Sequence, residues 1–204
     1  MAFITDADRQ AIRDAIVAAE SKTSGEIVCV ITKSSDDYHY IPTLWAAALA
    51  LALPLPFLFH LGMFNAHVYL AQLAVFLVLA LVARWTPLKM LLVPGWVKRH
   101  RAGAHARVAF LELGVTNTAD RCGILIFVSV AERYVEVIAD RGIHAKVGAE
   151  AWQQAVDKFL AEVRAGRVGA GFVAAIGDCG AVLERHFPRR GDEVDELPNH
   201  LYEF

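Results

Sequence analysis

The sequence predicts an α/β domain interrupted by a transmembrane helical hairpin. Three observations carry that prediction. Short apolar runs of strand character stand at residues 26–31, 123–130 and 134–139. Residues 41–83, a run of 43 positions, contain no Asp, Glu, Lys or Arg. Between and after the strand runs lie segments whose apolar residues recur with helical spacing. The 204-residue chain is 56% apolar and 21% charged, against roughly 45–50% apolar in soluble domains, and the excess is concentrated in the uncharged run.

The first element is a helix. Thr5 and Asp8 have the spacing of a capping box, with Asp in place of Glu or Gln. Ile12, Ala15, Ile16 and Ala19 mark one face, and Ser24-Gly25 closes the helix. This start is polar where a secretion signal needs an apolar core. Glu26 to Ile31 then reads as a strand buried on both faces, so it must pair with strands from beyond the uncharged run.

A single span needs about 20 apolar residues. The run therefore fits two spans, one from Ile41 to Leu61 and one from Ala66 to Ala83, with a turn at Gly62-Met63-Phe64-Asn65. Pro54 and Pro56 should kink the first span. Ala46, Ala50 and Ala48, Ala52 repeat four apart, which permits close helix contact. Trp45, Tyr69 and Trp85 have the character of interface anchors. A hairpin apolar on nearly all sides is poorly covered by a soluble chain of this size. Residues 87–97 read as an interfacial segment in which Leu88, Met90, Leu91, Leu92 and Val93 dip into the headgroup layer. Lys98, Arg99 and Arg101 would then contact anionic lipid. Lys and Arg cluster after the second span and are absent from the turn, so both soluble parts are expected in the cytoplasm.

Val97 to Gly114 reads as a helix. Gly123 to Val130 and Tyr134 to Ala139, joined by Ala131-Glu132-Arg133, form an antiparallel hairpin. Trp152, Val156, Phe159, Leu160 and Val163 mark a further helix. Phe172 to Phe187 marks the last one, stopped by Pro188. The tail, residues 189–204, is polar, acidic and extended. Helices between strands imply a sheet covered on both faces. The organisation is thus residues 1–40 and 98–188 as two parts of one domain, 41–86 as the hairpin, 87–97 as the interfacial segment and 189–204 as the tail. The net charge of −2 supplies no field that recruits nucleic acid. Cys29, Cys122 and Cys179 lack the number and spacing of a disulfide framework or zinc site.

The string GILIFVSVAERYVEVIADRG at residues 123–142 resembles the TPM domain, found in thylakoid-lumen proteins, a photosystem II repair factor, a nematode receptor modulator and many bacterial membrane proteins. Thr23-Ser24-Gly25-Glu26-Ile27-Val28 resembles the family's first strand entry. Phe159 to Ile176, with Arg164-Ala165-Gly166-Arg167 and Gly171-Phe172, resembles its closing helix region. The likeness covers nearly all of the soluble sequence. It is greatest to a bacterial branch with a membrane hairpin after the first strand and an ELPN-like tail, here Glu196-Leu197-Pro198-Asn199. It implies a three-layer α/β/α sandwich, a place in a bacterial inner membrane, calcium binding, and a weak phosphatase activity in some members. It also implies a role in the assembly or maintenance of membrane complexes, with lipid and membrane proteins rather than nucleic acid as partners.

Calcium takes six to eight oxygens from converging loops. Asp36, Asp37 and Asp120 are the candidate metal ligands, at the ends of the first and second strands. The family's Gly-Tyr-Gly-hydrophobe-Glu after the third strand is replaced here by Asp140-Arg141-Gly142-Ile143-His144. Asp140, Arg141 and His144 are therefore candidate binding residues, with Arg141 either an anion anchor or a partner of Asp140. There is no P-loop, no Cys-x5-Arg and no aspartate-nucleophile signature. Two functions remain open at this level: a non-enzymatic, membrane-anchored binding domain, and a metal-dependent phosphatase at the membrane surface.

Overall fold

The computed structural model describes residues 4–56, 66–82, 86–118, 120–190 and 196–204. The chain divides into two compact units, residues 1–35 with 102–204, and residues 36–101.

The first unit is built on a four-stranded sheet of order β3-β2-β1-β4. Helix α1 (Asp6–Glu20) opens with the expected capping box. The Thr5 side chain accepts from the Asp8 N–H, and the Asp8 carboxylate accepts from the Thr5 N–H at 2.9 Å. Strand β1 (Glu26–Thr32) is buried along its whole length. It pairs in parallel with β2 (Gly123–Ser129), Glu26 opposite Gly123 and Thr32 opposite Ser129. Strand β3 (Tyr134–Ala139) runs antiparallel to β2 and forms one edge.

Side chains of β1 and β2 alternate between two cores, as a pleated strand requires. Ile27, Cys29, Ile124 and Ile126 pack with Ile12, Ile16, Phe159, Phe172 and Ile176. These belong to α1 and to two later helices, α7 (Gln153–Arg164) and α8 (Val168–His186). Val28, Val30, Leu125 and Phe127 face the other way, onto Ala106, Ala109 and Phe110 of α5 (Gly95–Glu112). Helices thus cover both faces of a mixed sheet, in the layering expected of an α/β domain.

The close packing rests on small residues at specific points. A Cβ on Gly123 would lie 2.3 Å from the Val115 carbonyl oxygen, and one on Gly169 2.2 Å from an Asp8 carboxylate oxygen. Two elements differ from expectation. Helix α8 begins at Val168, four residues ahead of the expected Phe172. The tail is not merely extended. Leu201–Glu203 form β4, parallel to β1, with Leu201 opposite Cys29 and Glu203 opposite Ile31. The outer edge of β1 offers free backbone groups, and the tail satisfies them.

The second unit contains α2 (Tyr40–Ala52), α3 (Ala66–Val82) and α4 (Thr86–Leu92). Helices α2 and α3 pack on one another. Of the two alanine pairs, Ala46 and Ala50 are buried whereas Ala48 and Ala52 are exposed. Helix α2 stops at Ala52, ahead of Pro54. Among the described residues no helix is long and apolar enough to cross a membrane. The 13 residues of α2 and 17 of α3 rise about 20 and 26 Å, against a hydrocarbon core of about 30 Å. The expected turn at residues 62–65, the end of the first expected span and Trp85 lie outside the described residues. Residues 87–97, expected at the interface, comprise most of helix α4, a break at Val93-Pro94 and the start of α5.

Candidate functional site

Three places hold the residues singled out by the sequence or by the structure. The first is at the C-terminal ends of β1 and β2, where ligands commonly bind in open α/β sheets. Glu132, in the β2–β3 turn, is 8% exposed. Its Oε1 accepts from the Ser34 hydroxyl at 3.1 Å and the Ser35 N–H at 3.0 Å, and its Oε2 accepts from the Ser129 hydroxyl. Ser35 in turn donates to the Ser129 oxygen at 2.9 Å. Buried polar groups need partners, and here every member supplies one to another. Both carboxylate oxygens are occupied and Ser129 has no solvent exposure, so the node holds the β1 exit loop against the β2–β3 turn. Sequence reasoning passed over it. The one available signal was Ser129, a polar residue inside an otherwise apolar strand.

The second place is at the opposite end of the sheet. Asp140 follows β3 and is 4% exposed. Its Oδ1 accepts from the Arg141 backbone N–H at 2.6 Å, capping the short helix α6 (Arg141–His144). Its Oδ2 is buried with no hydrogen-bond partner among the described residues. Asp140 thus meets Arg141 through the main chain, and the side chains of Arg141 and His144 are exposed. The geometry does not gather the three into one pocket. A Cβ on Gly142 would meet the Arg121 and Asp120 carbonyl oxygens at 2.6 and 2.8 Å, which fixes α6 close to the loop before β2. The Cys122 backbone N–H in that loop donates to the Thr118 hydroxyl oxygen at 3.0 Å. Burial, reinforced by Asp120, pushes the Cys122 thiol up to about 11.

The candidate metal ligands are separated. Asp36 and Asp37 follow the C-terminal end of β1, whereas Asp120 precedes the N-terminal end of β2, and the register pairs Glu26 with Gly123. Asp36 is bound to Arg101 at 3.0 Å and accepts from the Tyr38 N–H at 3.1 Å. Asp120 pairs with Arg190 at 3.5 Å. Among the described residues no group of three His, Cys, Asp or Glu side chains is placed to hold a metal ion.

The third place is the second unit. Arg101, expected against lipid, has protein partners in this unit. Its guanidinium pairs with Asp36, donates to the Tyr40 hydroxyl at 3.4 Å and lies 5.9 Å from the centre of that ring. Tyr40 and then Asp36 raise its pKa above the ordinary value. Arg99 is exposed and Lys98 half-exposed. The unit also carries most of the large apolar surface. Of 19 exposed large apolar side chains among the described residues, 15 lie between residues 36 and 101.

Comparison with known proteins places part of this architecture. Residues 93–182 match the TPM domain family. The match takes in α5, the β2–β3 hairpin, α7 and most of α8. It leaves α1, β1, the helices α2 and α3 and the tail outside, a narrower span than the resemblance read from the sequence. Among solved structures the chain is similar to the NMR structure of the BA42 protein from the psychrophilic bacterium Bizionia argentinensis. The TM-score is 0.63 at 22% identity, covering 99% of this chain and 96% of that one. That likeness concerns the fold. No curated protein matches the chain.

Proposed function

We propose that this chain is a membrane-anchored TPM-type domain of the binding and assembly kind, held in a bacterial inner membrane by the α2–α3 hairpin. The observation that carries the reading is the distribution of exposed apolar surface. Soluble monomers rarely expose large contiguous apolar patches, and here such side chains concentrate in the unit that contains the uncharged run of residues 41–83. Leu44, Leu51, Leu70 and Leu81 are each at least 59% exposed. Hydrocarbon is the medium that accepts this surface at least cost.

The domain's own chemistry supports binding over catalysis. The Ser129–Glu132 node is closed on itself, and Asp36, Asp37 and Asp120 do not converge. Partners are membrane lipid and membrane proteins. The Lys and Arg that follow the hairpin favour a cytoplasmic side for the α/β unit under the positive-inside rule.

The test is fractionation of the full-length protein expressed in bacteria. It is expected in the inner-membrane pellet, resistant to alkaline carbonate and released by detergent. A monodisperse, folded protein in the detergent-free supernatant overturns the reading. Cleavage of the C-terminal domain by protease added to intact spheroplasts would reverse the orientation.

A further inference from the structure

We propose that the break between α4 and α5 is a second membrane contact, which inserts Leu91 and Trp96 at the interface and binds anionic lipid headgroups through Lys98 and Arg99. This rests on the anchored reading in that both contacts use the same bilayer, but it is a separate attachment with its own chemistry.

The break sorts its side chains into two sets. Met90, Val93 and Val97 pack inward on Tyr38 and Ile41. Leu91 and Trp96, which alternate with them along the chain, point out and are 79% and 74% exposed, the two highest values among the exposed large apolar residues. Trp is the side chain best suited to the headgroup layer. Trp96 lies four residues beyond the end of a seven-residue helix, Thr86–Leu92.

Charge identifies the lipid. From Tyr38 to Leu111 there is no Asp or Glu. Lys89, Lys98 and Arg99 therefore face no intervening acid along the chain, and each cation near an anionic surface raises partitioning about fivefold. The structure also narrows the set read from the sequence. Arg101 already pairs with Asp36 and Tyr40, so the proposal is built on Lys98 and Arg99. Nucleic acid would use the same cations but offers nothing to two exposed apolar side chains, so a bilayer surface is the better fit.

The experiment uses the full chain reconstituted from detergent into vesicles of phosphatidylcholine alone or with phosphatidylglycerol. A nitroxide is attached at Leu91→Cys or, separately, at Leu77→Cys. The native Cys29, Cys122 and Cys179 are buried and do not compete, and both chosen sites are exposed, so the fold tolerates the label. Relative accessibility to oxygen and to a water-soluble nickel complex reports depth. The expected result is an interfacial depth at position 91 in phosphatidylglycerol vesicles, with Lys98→Glu/Arg99→Glu moving that label several-fold toward nickel accessibility and leaving position 77 unchanged. A label at 91 in water while 77 is in lipid overturns this inference and leaves the anchor standing. A label at 91 at the interface while 77 is in water supports it and overturns the hairpin anchor. Both labels in water overturn both. Depth at 91 independent of lipid charge and of the charge reversal overturns the headgroup assignment.

Discussion

The Ser129 hydroxyl donates to the Glu132 carboxylate three residues later, and both are buried at the end of the parallel strand pair. A hydroxyl and a carboxylate withdrawn from water are costly unless satisfied, at about 1–3 kcal/mol for each group left without a partner. Glu132→Ala removes the acceptor of Ser129, Ser34 and the Ser35 N–H at once. It is expected to destabilise the domain by about 2–3 kcal/mol in chemical denaturation. Ser129→Ala is expected to cost about 1 kcal/mol. The double variant should cost less than the sum, with a coupling of about 1 kcal/mol or more. Simple additivity would show that the two side chains do not act as one unit.

The readable parts of the fold were those set by local signals. The capping box at Thr5 and Asp8, the apolar centre of β1 and the short turn between β2 and β3 each announce themselves within a few residues. Strand β4 does not. Leu201–Glu203 is three residues in a polar tail and becomes a strand only because β1 has an open edge. The node at Glu132 depends on Ser34 and Ser35, 98 and 97 residues away, which no spacing argument reaches. Whether Asp36 and Asp120 meet depends on strand register, and the parallel register of β1 and β2 sends them to opposite ends. The pair between Arg101 and Asp36 spans 65 positions, which no local pattern announces.

Glycine positions separate packing from propensity. A Cβ at Gly123 meets the Val115 backbone oxygen at 2.3 Å, and backbone cannot swing aside as a side-chain tip does. Gly123→Ala is expected to cost about 1–3 kcal/mol. Gly177 lies exposed within α8 and an added Cβ meets nothing within 4 Å. Gly177→Ala is expected to stabilise the domain by about 1 kcal/mol, the helix propensity difference. Thermal unfolding by circular dichroism should therefore shift in opposite directions for the two variants. A shift in the same direction would mean that the spacing at Gly123 relaxes without cost.

The three thiols should be inert in the native protein. Burial raises Cys29 well above the ordinary 9.0, Cys179 to about 12 and Cys122 to about 11. The thiolate is the reactive form, so a thiol reagent at pH 8 is expected to react with none of them until denaturant is added. The same shifts fix the alkaline behaviour. Below about 9 both folded and unfolded chains keep the thiols protonated, and the shifts cost nothing. Above that pH the unfolded chain releases protons first, and stability falls progressively toward about 12. Stoichiometric labelling of the native protein at pH 8 would contradict this placement of the cysteines.

The N-cap of α1 gives a test at acid pH. Hydrogen bonds from the Thr5 side chain and backbone hold the Asp8 carboxyl below its ordinary 3.8. A carboxylate with a depressed pKa in the folded state stabilises fully above the unfolded value, and that contribution is lost as pH falls through the folded one. Thr5→Ala removes the hydroxyl that Asp8 pairs with and the acceptor for the Asp8 N–H. It is expected to cost about 1 kcal/mol at pH 7. The gap to the parent should narrow below about pH 4 as Asp8 becomes protonated in both chains. Thermal unfolding at pH 7 and at pH 2.5 measures it. A gap that is as large at pH 2.5 as at neutral pH would mean that the reciprocal Asp8 bond contributes nothing and that the Thr5 hydroxyl alone caps the helix.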